Sequence, residues 1–480
     1  MIGEYPGQIT AFHTFMISEL LLLVTMAVSK QQRAYQVENS LANQTKLLCS
    51  AVFVVGRNPY EYIENDLRTI NHYHNWDNCS IDIDFENKSV TVSTKDGLSK
   101  TATHNKSQGC VILPEPETDV SFKAINVEPR IADQSELTWP MGDGEANGTG
   151  SDEIDQARLS KVLDNIMGPN PTHGIPLNTR ALVVVHDGKI VGERYGSGFN
   201  KTTRHISWSM GKSVTAALIG ILIKEGHFEL NDPVPINEWK DDSRSEITIN
   251  NLIRMSSGLK FQRSTDNKEV LPFTDEDHHH SVYHKAMDVH EFATSMPLEY
   301  KPGTVWRYRN CDTLSLGKVV RDTVESSGRS YLEFPQRYLY DKIGIRDMIH
   351  ETDIHGNFIF TGFNYGTARD WARFGLLHLW EGEWLGEQIL PENWIESITS
   401  PAPANPDNEY GGQFWLNKGG NLKEVPRDAY AARGLRGQIT MVIPSLDLVI
   451  VRLGHSPNYD QHNTLIREIV ECIDKEAPIR

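Results

Sequence analysis

The chain has 480 residues, and its 47 basic and 64 acidic side chains give a formal net charge of −17 at pH 7. Hydrophobic residues make up 39% and charged residues 23%, which excludes a disordered chain, a collagen-like repeat and a many-span membrane protein. The length predicts two or three domains. An acidic chain without a Lys/Arg-rich run repels phosphate backbones. We therefore expect a small-molecule substrate and no nucleic-acid partner, while the sequence fixes no oligomeric state.

The first 33 residues contain the one candidate membrane segment. Residues 12–28 are mostly apolar, but Glu19 interrupts the run, no Lys or Arg precedes it, and Lys30 and Arg33 follow it. A secretory signal has positive charge in front of its apolar run, and a spanning helix needs about 20 apolar residues. We expect export or membrane tethering, with any membrane contact made through residues 12–28. The alternative is a buried or frayed helix in a cytoplasmic protein.

Cysteine is sparse and shows no C-x-x-C spacing, so neither a disulfide scaffold nor a zinc or thioredoxin site is expected. The five cysteines are Cys49, Cys79, Cys110, Cys311 and Cys472. Three of them lie in the first quarter of the chain, where one disulfide can form if the chain is exported. Six N-x-S/T sequons, which matter only in a eukaryotic secretory pathway, stand at Asn43, Asn78, Asn87, Asn105, Asn147 and Asn200.

Residues 34–150 are predicted to form a small β-rich module followed by a linker. Ile81–Phe85 and Val90–Thr94 each alternate apolar and polar residues, and the turn residues Glu86–Lys88 separate them. This pattern predicts a hairpin with one face in solvent. The glycine-rich stretch 142–150 is typical of a linker and marks the domain boundary.

A second domain, residues 151–480, begins and ends with β-hairpin patterns. Ala181–His186 and Lys189–Glu193 flank an Asp-Gly pair, which favours a tight turn. Ile439–Ile443 and Leu448–Val451 repeat the pattern near the end of the chain, and mostly helical periodicity lies between. We predict an α/β (α+β) fold in which an antiparallel sheet, built from both ends of the domain and flanked by helices, receives a mostly helical insertion.

The strongest chemical signal is Ser209 three residues before Lys212, directly ahead of the apolar run Val214–Ile223. On a helix this S-x-x-K spacing places the amine one turn along the same face as the hydroxyl. Burial would lower the pKa of the lysine, and a lysine that can lose its proton can activate a serine. A phosphate-binding P-loop is excluded because Ile206 stands where its first glycine is needed.

The same stretch also approaches the G-x-S-x-G elbow of α/β-hydrolases, with Ser207 in place of the first glycine. That fold requires strands and helices to alternate downstream in parallel βα units. The downstream sequence shows no such alternation, so the S-x-x-K interpretation is preferred.

With these motifs the chain resembles the serine β-lactamase-related family, which includes class C β-lactamases, D-alanyl-D-alanine peptidases and esterases of that fold. Within that family its motifs most resemble those of the 6-aminohexanoate-dimer hydrolases. The markers of the resemblance are Trp208–Ser213, Ile253–Leu259, Pro302–Thr304, Tyr308–Asn310, Ala368–Gly375 and Gly434–Gln438. They occur in the family's order within residues 155–475.

The resemblance implies hydrolysis of a carboxylic ester or amide through an acyl-enzyme, with no cofactor and no metal. Ser209 matches the nucleophile and Lys212 its neighbouring base. Tyr308 matches the tyrosine that moves the proton between serine and leaving group, its pKa lowered by a nearby ammonium. Asn310 would hold the lysine and a substrate amide oxygen. The backbone N–H groups of Ser209 and Gln438 would form the oxyanion hole.

The sequence departs from the β-lactamase pattern at the last active-site strand. Leu435–Gly437 stands where K-T-G is expected, so the substrate-side residues are Arg436 and Gly437. Arg436 either replaces the lost lysine charge or points to solvent. β-Lactam hydrolysis is therefore not expected as the main activity. The alternative function is a catalytically impaired penicillin-recognising sensor or scaffold of the same fold.

A histidine-rich run, Asp275–His280 with His284 and His290 nearby, invites a metal interpretation. Contiguous ligands rarely reach one ion with good geometry. We expect a solvated loop beside the entrance of the site, where it would influence substrate choice.

Overall fold

A computed structural model describes residues 30–70, 73–114, 119–133, 135–144, 154–168, 178–285, 287–456 and 462–473. The apolar segment 12–28 and most of the predicted linker lie outside these residues. Within them, no helix combines the length and apolar character that a membrane span needs.

The helices are α1 (residues 30–50), α2 (Pro59–Asn65), α3 (Gln156–Met167), α4 (Gly211–Lys224), α5 (Ile249–Ile253), α6 (His278–His284), α7 (Val289–Ser295), α8 (Asn310–Ser326), α9 (Ala368–Leu379), α10 (Trp394–Thr399) and α11 (His462–Val470). The strands are β1 (Cys79–Asp84), β2 (Ser89–Thr94), β3 (Ser99–His104), β4 (Cys110–Ile112), β5 (Thr179–His186), β6 (Lys189–Tyr195), β7 (His205–Ile206), β8 (Ile349–His350), β9 (Asn364–Gly366), β10 (Glu383–Trp384), β11 (Glu387–Gln388), β12 (Trp415–Leu416), β13 (Tyr430–Gly434), β14 (Gln438–Ile443) and β15 (Leu448–Gly454).

The main sheet has six strands in the order β12-β13-β14-β15-β5-β6, and each neighbouring pair is antiparallel. Strands from both ends of the domain therefore lie side by side, which confirms the predicted fold class. The central strands are continuous apolar runs because both faces of the sheet are covered. Val183 and Val449 pack into the core cluster that contains α9, whereas Leu182 and Ile450 pack with α3 and α11 on the opposite face.

A separate small sheet, β1-β2-β3-β4, lies in the amino-terminal part and is antiparallel throughout. It confirms the predicted hairpin, with Val90 and Val92 buried on one face. The structure differs from the predicted β-rich module at the start of this part, where the helix α1 precedes the strands. A disulfide between Cys49 and Cys110 joins the end of α1 to β4.

Helix α1 is packed against residues of the second predicted domain. Leu41, Leu47 and Leu48 are fully buried in the same core cluster as the central sheet strands. Three α1 side chains also donate hydrogen bonds to the backbone of the segment that leads into and forms α6: Gln36 to Pro272 O (2.9 Å), Asn39 to Phe273 O (2.8 Å) and Asn43 to Tyr283 O (3.5 Å). The segment around α6 is therefore supported from behind by α1.

A buried ion pair strengthens this attachment. Lys46 Nζ lies 3.2 Å from Glu351 Oε2, and both side chains are almost fully inaccessible. Glu351 Oε1 also accepts hydrogen bonds from Ser50 Oγ at 2.7 Å and Cys110 N at 2.8 Å. Burial lowers the pKa of Lys46 and raises that of Glu351, so each group depends on its partner to remain charged.

We expect Glu351→Ala to lower the free energy of unfolding by about 3–5 kcal/mol, because it leaves the Lys46 ammonium buried without its counter-ion. Urea unfolding followed by fluorescence measures the change. The control is Glu64→Ala, which breaks an exposed pair with Arg68 and is expected to cost at most about 1 kcal/mol. Equal effects of the two substitutions would contradict a structural role for the buried pair.

Candidate active site

Ser209 lies in a single helical turn, Trp208–Met210, between the short strand β7 and α4. Trp208 has a φ of 49°, which is unusual for a bulky residue and typical of a functional turn held by its surroundings. The next residue, Gly211, must lack a side chain, because a Cβ there would lie 2.1 Å from Asn364 Nδ2. Helix α4 is buried from its first residue through Leu222, as its apolar sequence predicts. Ser209 is thus placed at the positive end of a buried helix.

Lys212 contacts the serine from the first turn of α4. Its Nζ lies 3.4 Å from Ser209 Oγ, 2.7 Å from Asn310 Oδ1 and 3.3 Å from Thr361 O. None of the ion pairs among the described residues includes Lys212. Burial therefore holds the pKa of Lys212 well below its ordinary value, and the charge of Arg263 lowers it further. The arrangement favours an uncharged amine beside the serine hydroxyl.

Tyr308 and Asn310 reach the same place from the start of α8. Asn310 is the first residue of that helix and is fully buried. Lys212 Nζ lies 5.0 Å from the centre of the half-buried Tyr308 ring. The centre of this ring lies 5.3 Å from the centre of the Trp415 ring. The structure thus brings together the four residues Ser209, Lys212, Tyr308 and Asn310 that the sequence singled out.

Asn310 is fully engaged by the protein itself. Its Oδ1 accepts from Lys212, and its Nδ2 donates to His279 O and to Tyr283 Oη, both at 2.9 Å. A side-chain amide has two N–H groups, and both have protein partners in this structure. These contacts suit a residue that orients the lysine, while the expected contact of Asn310 with a substrate amide stays a prediction.

Sequence reasoning missed two groups that complete this network. The carbonyl oxygen of Thr361 accepts hydrogen bonds from Ser209 Oγ (3.3 Å), Lys212 Nζ (3.3 Å) and Tyr283 Oη (2.8 Å). A main-chain carbonyl carries no sequence signal. Tyr283 lies among histidines, and a tyrosine in such a stretch carries no chemical signal of its own in the sequence.

The strands near the predicted oxyanion residue Gln438 lie at different distances from the nucleophile turn. The backbone of β13 lies against the nucleophile turn, since a Cβ on Gly434 would stand 2.1 Å from Ser207 O. Gln438 begins β14, one strand further away, and its side chain bonds to Gly454 N and O. Arg436 and Gly437 form the connection between β13 and β14, and Arg436 donates to Thr69 O of the amino-terminal part.

The prediction of a solvated loop for the histidine-rich run is also wrong. His278–His284 forms α6, and Asp277, His284 and His290 are buried. The run nevertheless lies beside the site, with the His279 ring 6.5 Å from the Tyr308 ring. Burial lowers the pKa of His279 well below its ordinary value. Across the part of the chain that the structure describes, no cluster of three or more His, Cys, Asp or Glu side chains has an arrangement that could hold a metal ion.

A serine and a buried lysine at the head of a buried helix, next to one strand of an antiparallel sheet made from both ends of the domain, define the S-x-x-K class of serine hydrolases. The chain belongs to the beta-lactamase family, whose sequence profile matches residues 177–471.

The relatives agree with this assignment and differ among themselves in activity. The 6-aminohexanoate-dimer hydrolase of Paenarthrobacter ureafaciens is 25% identical over 304 residues, which are 59% of this chain and 74% of that protein. A Bacillus anthracis structure provisionally named a 6-aminohexanoate-dimer hydrolase is 23% identical with a TM-score of 0.52, and the match covers 73% of this chain and 87% of the other. A family VIII carboxylesterase is 15% identical with a TM-score of 0.51, covering 68% of this chain and 100% of the other. The structures share the fold with this chain.

Proposed function

We propose that the protein hydrolyses a carboxylic ester or amide through an acyl-enzyme formed on Ser209. The observation that carries the proposal is the buried amine of Lys212, which lies 3.4 Å from Ser209 Oγ and has its pKa lowered by burial. An uncharged amine at this distance can accept the hydroxyl proton, and a serine at a helix start has a favourable place for the negative charge that develops.

In the acylation step Lys212 takes the proton of Ser209 Oγ, and Oγ attacks the carbonyl carbon of the substrate. The substrate oxygen becomes an oxyanion that accepts hydrogen bonds from the backbone N–H of Ser209 and from one N–H at the end of β13, near Gly434. The Lys212 proton then passes by way of Tyr308 to the leaving oxygen or nitrogen, and the bond to the leaving group breaks.

Deacylation repeats these proton transfers with water as the nucleophile. As the oxygen of water attacks the ester carbon, one proton of the water passes by way of Tyr308 to Lys212, and this proton returns to Ser209 Oγ when the acid departs. Asn310, fixed by Tyr283 and His279 O, holds the amine in the same orientation for both steps.

β-Lactams are not proposed as the main substrates. Ala432–Gly434 of β13 stands next to the nucleophile turn, and this stretch contains neither the lysine nor the threonine of K-T-G. The relatives named as a carboxylesterase and as a hydrolase of an amide-linked dimer support ester and amide bonds as the substrate class.

We propose, in addition, that the protein is exported or tethered to a membrane. The disulfide between Cys49 and Cys110 supports this placement, because such bonds persist mainly in oxidising compartments.

The proposed function is tested by adding a fluorophosphonate probe and, separately, p-nitrophenyl butyrate to the purified protein. We expect one probe molecule per chain by intact mass, located on the peptide that contains Ser209, together with continuous release of p-nitrophenol. Labelling of Ser209 with a single burst and no turnover would indicate the sensor function instead. Absence of labelling in folded protein would contradict the nucleophile assignment.

A further inference from the structure

Asn364, the first residue of β9, lies between the two segments that carry the catalytic network. Its Nδ2 donates to Trp208 O at 3.1 Å and to Phe360 O at 3.0 Å. Trp208 directly precedes Ser209 in the chain. Phe360 directly precedes Thr361, whose carbonyl oxygen accepts a hydrogen bond from Ser209 Oγ at 3.3 Å. One side-chain amide therefore joins the nucleophile turn to the segment that holds its partner carbonyl.

The surroundings of this amide allow it a single orientation. The two groups about its nitrogen are carbonyl oxygens, which only accept hydrogen bonds, so the nitrogen and not the oxygen must face them. The amide oxygen then faces His350 Nδ1, which must carry the proton of the neutral imidazole. His350 Nε2 is left as the acceptor for the Tyr340 hydroxyl. Burial lowers the pKa of His350 to about 4, so the ring is neutral near pH 7. All three side chains are buried.

The turn that Asn364 holds has a strained backbone. Trp208 has a φ of 49°, and a bulky residue keeps such a conformation only where the surrounding structure fixes it. The main chain of Asn364 fixes the same turn a second time, because its carbonyl oxygen accepts from Ser207 N at 2.7 Å. Asn364 thus binds both residues that lead into Ser209.

The contact between Ser209 and its base leaves little room for movement of this turn. Ser209 Oγ and Lys212 Nζ are 3.4 Å apart, at the long end for a hydrogen bond. We propose that Asn364 is a positioning residue, whose amide holds the nucleophile turn so that Ser209 Oγ stays within reach of Lys212. His350 and Tyr340 support it by fixing the direction of the amide. The inference rests on the proposed ester or amide hydrolysis and assigns to Asn364 a role in its acylation step.

The test compares wild type, Asn364→Leu and Asn417→Leu. Leucine keeps the size and branching of asparagine but can neither donate nor accept a hydrogen bond. Asn417 is the matched control, because it is also buried and its amide also holds backbone carbonyls, all of them in the loop between β12 and β13. Fluorophosphonate labelling followed by intact mass gives the final fraction of labelled chains and the rate of labelling. The final fraction counts folded protein, so the rate per labelled chain reports the geometry of the site.

We expect Asn364→Leu to be labelled about 10- to 100-fold more slowly than wild type per labelled chain, because small displacements of a reacting group cost rates of this size. Its kcat/KM for p-nitrophenyl butyrate, taken per labelled chain, should fall by the same factor. Asn417→Leu should lose stability but be labelled at the wild-type rate per labelled chain.

Tyr340→Phe tests the support of the amide, since it removes one hydroxyl and leaves Asn364 in place. Without that donor, His350 can carry its proton on Nε2, and Nδ1 then no longer holds the amide oxygen. We expect labelling to slow by about three- to tenfold in otherwise wild-type protein, and not at all when Asn364→Leu is already present. A general loss of packing would instead slow labelling in both backgrounds.

Two results would overturn the inference and leave the proposed function intact. One is labelling of Asn364→Leu no slower than that of Asn417→Leu, and the other is a Tyr340→Phe effect of equal size with and without Asn364. If Asn364→Leu does not fold, Tyr340→Phe alone decides, and an unchanged labelling rate overturns the inference. If folded wild type is neither labelled nor active, the proposed function fails, and the inference with it.

Discussion

Ser209→Ala is expected to lower kcat/KM for p-nitrophenyl butyrate by a factor on the order of 10⁵ and to abolish fluorophosphonate labelling. The substitution removes the only atom that can form the acyl bond in the proposed mechanism, and residual turnover would come from binding and oxyanion stabilisation alone. Initial rates and intact mass measure the two effects.

Ser213→Ala is the matched control, because it removes the same hydroxyl oxygen four residues further along, in the first turn of α4. Ser213 Oγ donates to Gln413 O at 2.7 Å and takes no part in the site network. This variant is expected to label fully and to retain activity within a few-fold, with a small loss of stability. Equal losses in both variants would show that damage to α4, and not removal of the nucleophile, explains the result.

Lys212→Met is expected to lower kcat/KM by about 10³-fold, the usual contribution of a positioned general base. Methionine keeps most of the side-chain volume in a buried position but cannot accept the Ser209 proton. In wild type the base is the uncharged amine, so kcat/KM should rise with pH as Lys212 loses its proton. Because burial lowers the pKa of Lys212, this rise should be complete well below the pH at which an exposed lysine titrates.

Lys212→Arg separates charge from basicity, since arginine stays protonated and cannot serve as the base. It should be as inactive as Lys212→Met and lack the acid limb of the pH profile. The control is Lys224→Met at the exposed end of the same helix, where the amine contacts Gln388 O. An acid limb that persists unchanged in Lys212→Met would assign it to another group and contradict the proposed base.

The sequence patterns were sufficient to predict the strands β1, β2, β5, β6, β14 and β15 and the pair Ser209 and Lys212, whereas Tyr308 and Asn310 came from the resemblance to a known family. In Val90–Thr94 apolar and polar residues alternate because one face of the strand is buried. In Leu448–Val451 the apolar run is unbroken because both faces are buried, and both signals are local. The pair Ser209 and Lys212 is also local, because three residues along a helix fix their separation.

What the sequence could not predict depends on contacts between distant segments. Both N–H groups of Asn310 donate to groups of α6, Tyr283 Oη and His279 O, and no spacing along the chain reveals this. Ala432–Gly434 and Leu435–Gly437 are adjacent stretches that both end in glycine, so the sequence alone does not say which of them lies beside the nucleophile turn. Only the packing of Gly434 on Ser207 distinguishes them.

The attachment of α1 has a practical consequence for the boundaries chosen when the protein is produced. The family match begins at residue 177, yet Leu41, Leu47 and Leu48 belong to the same core as the sheet. A fragment that starts at the family boundary would expose the apolar surface beneath α1 and remove the donors that reach Pro272, Phe273 and Tyr283. Expression clones, fusion points and domain exchanges with shorter relatives should therefore keep the helix, because the stretch that the family profile matches leaves out part of the chain that builds its core.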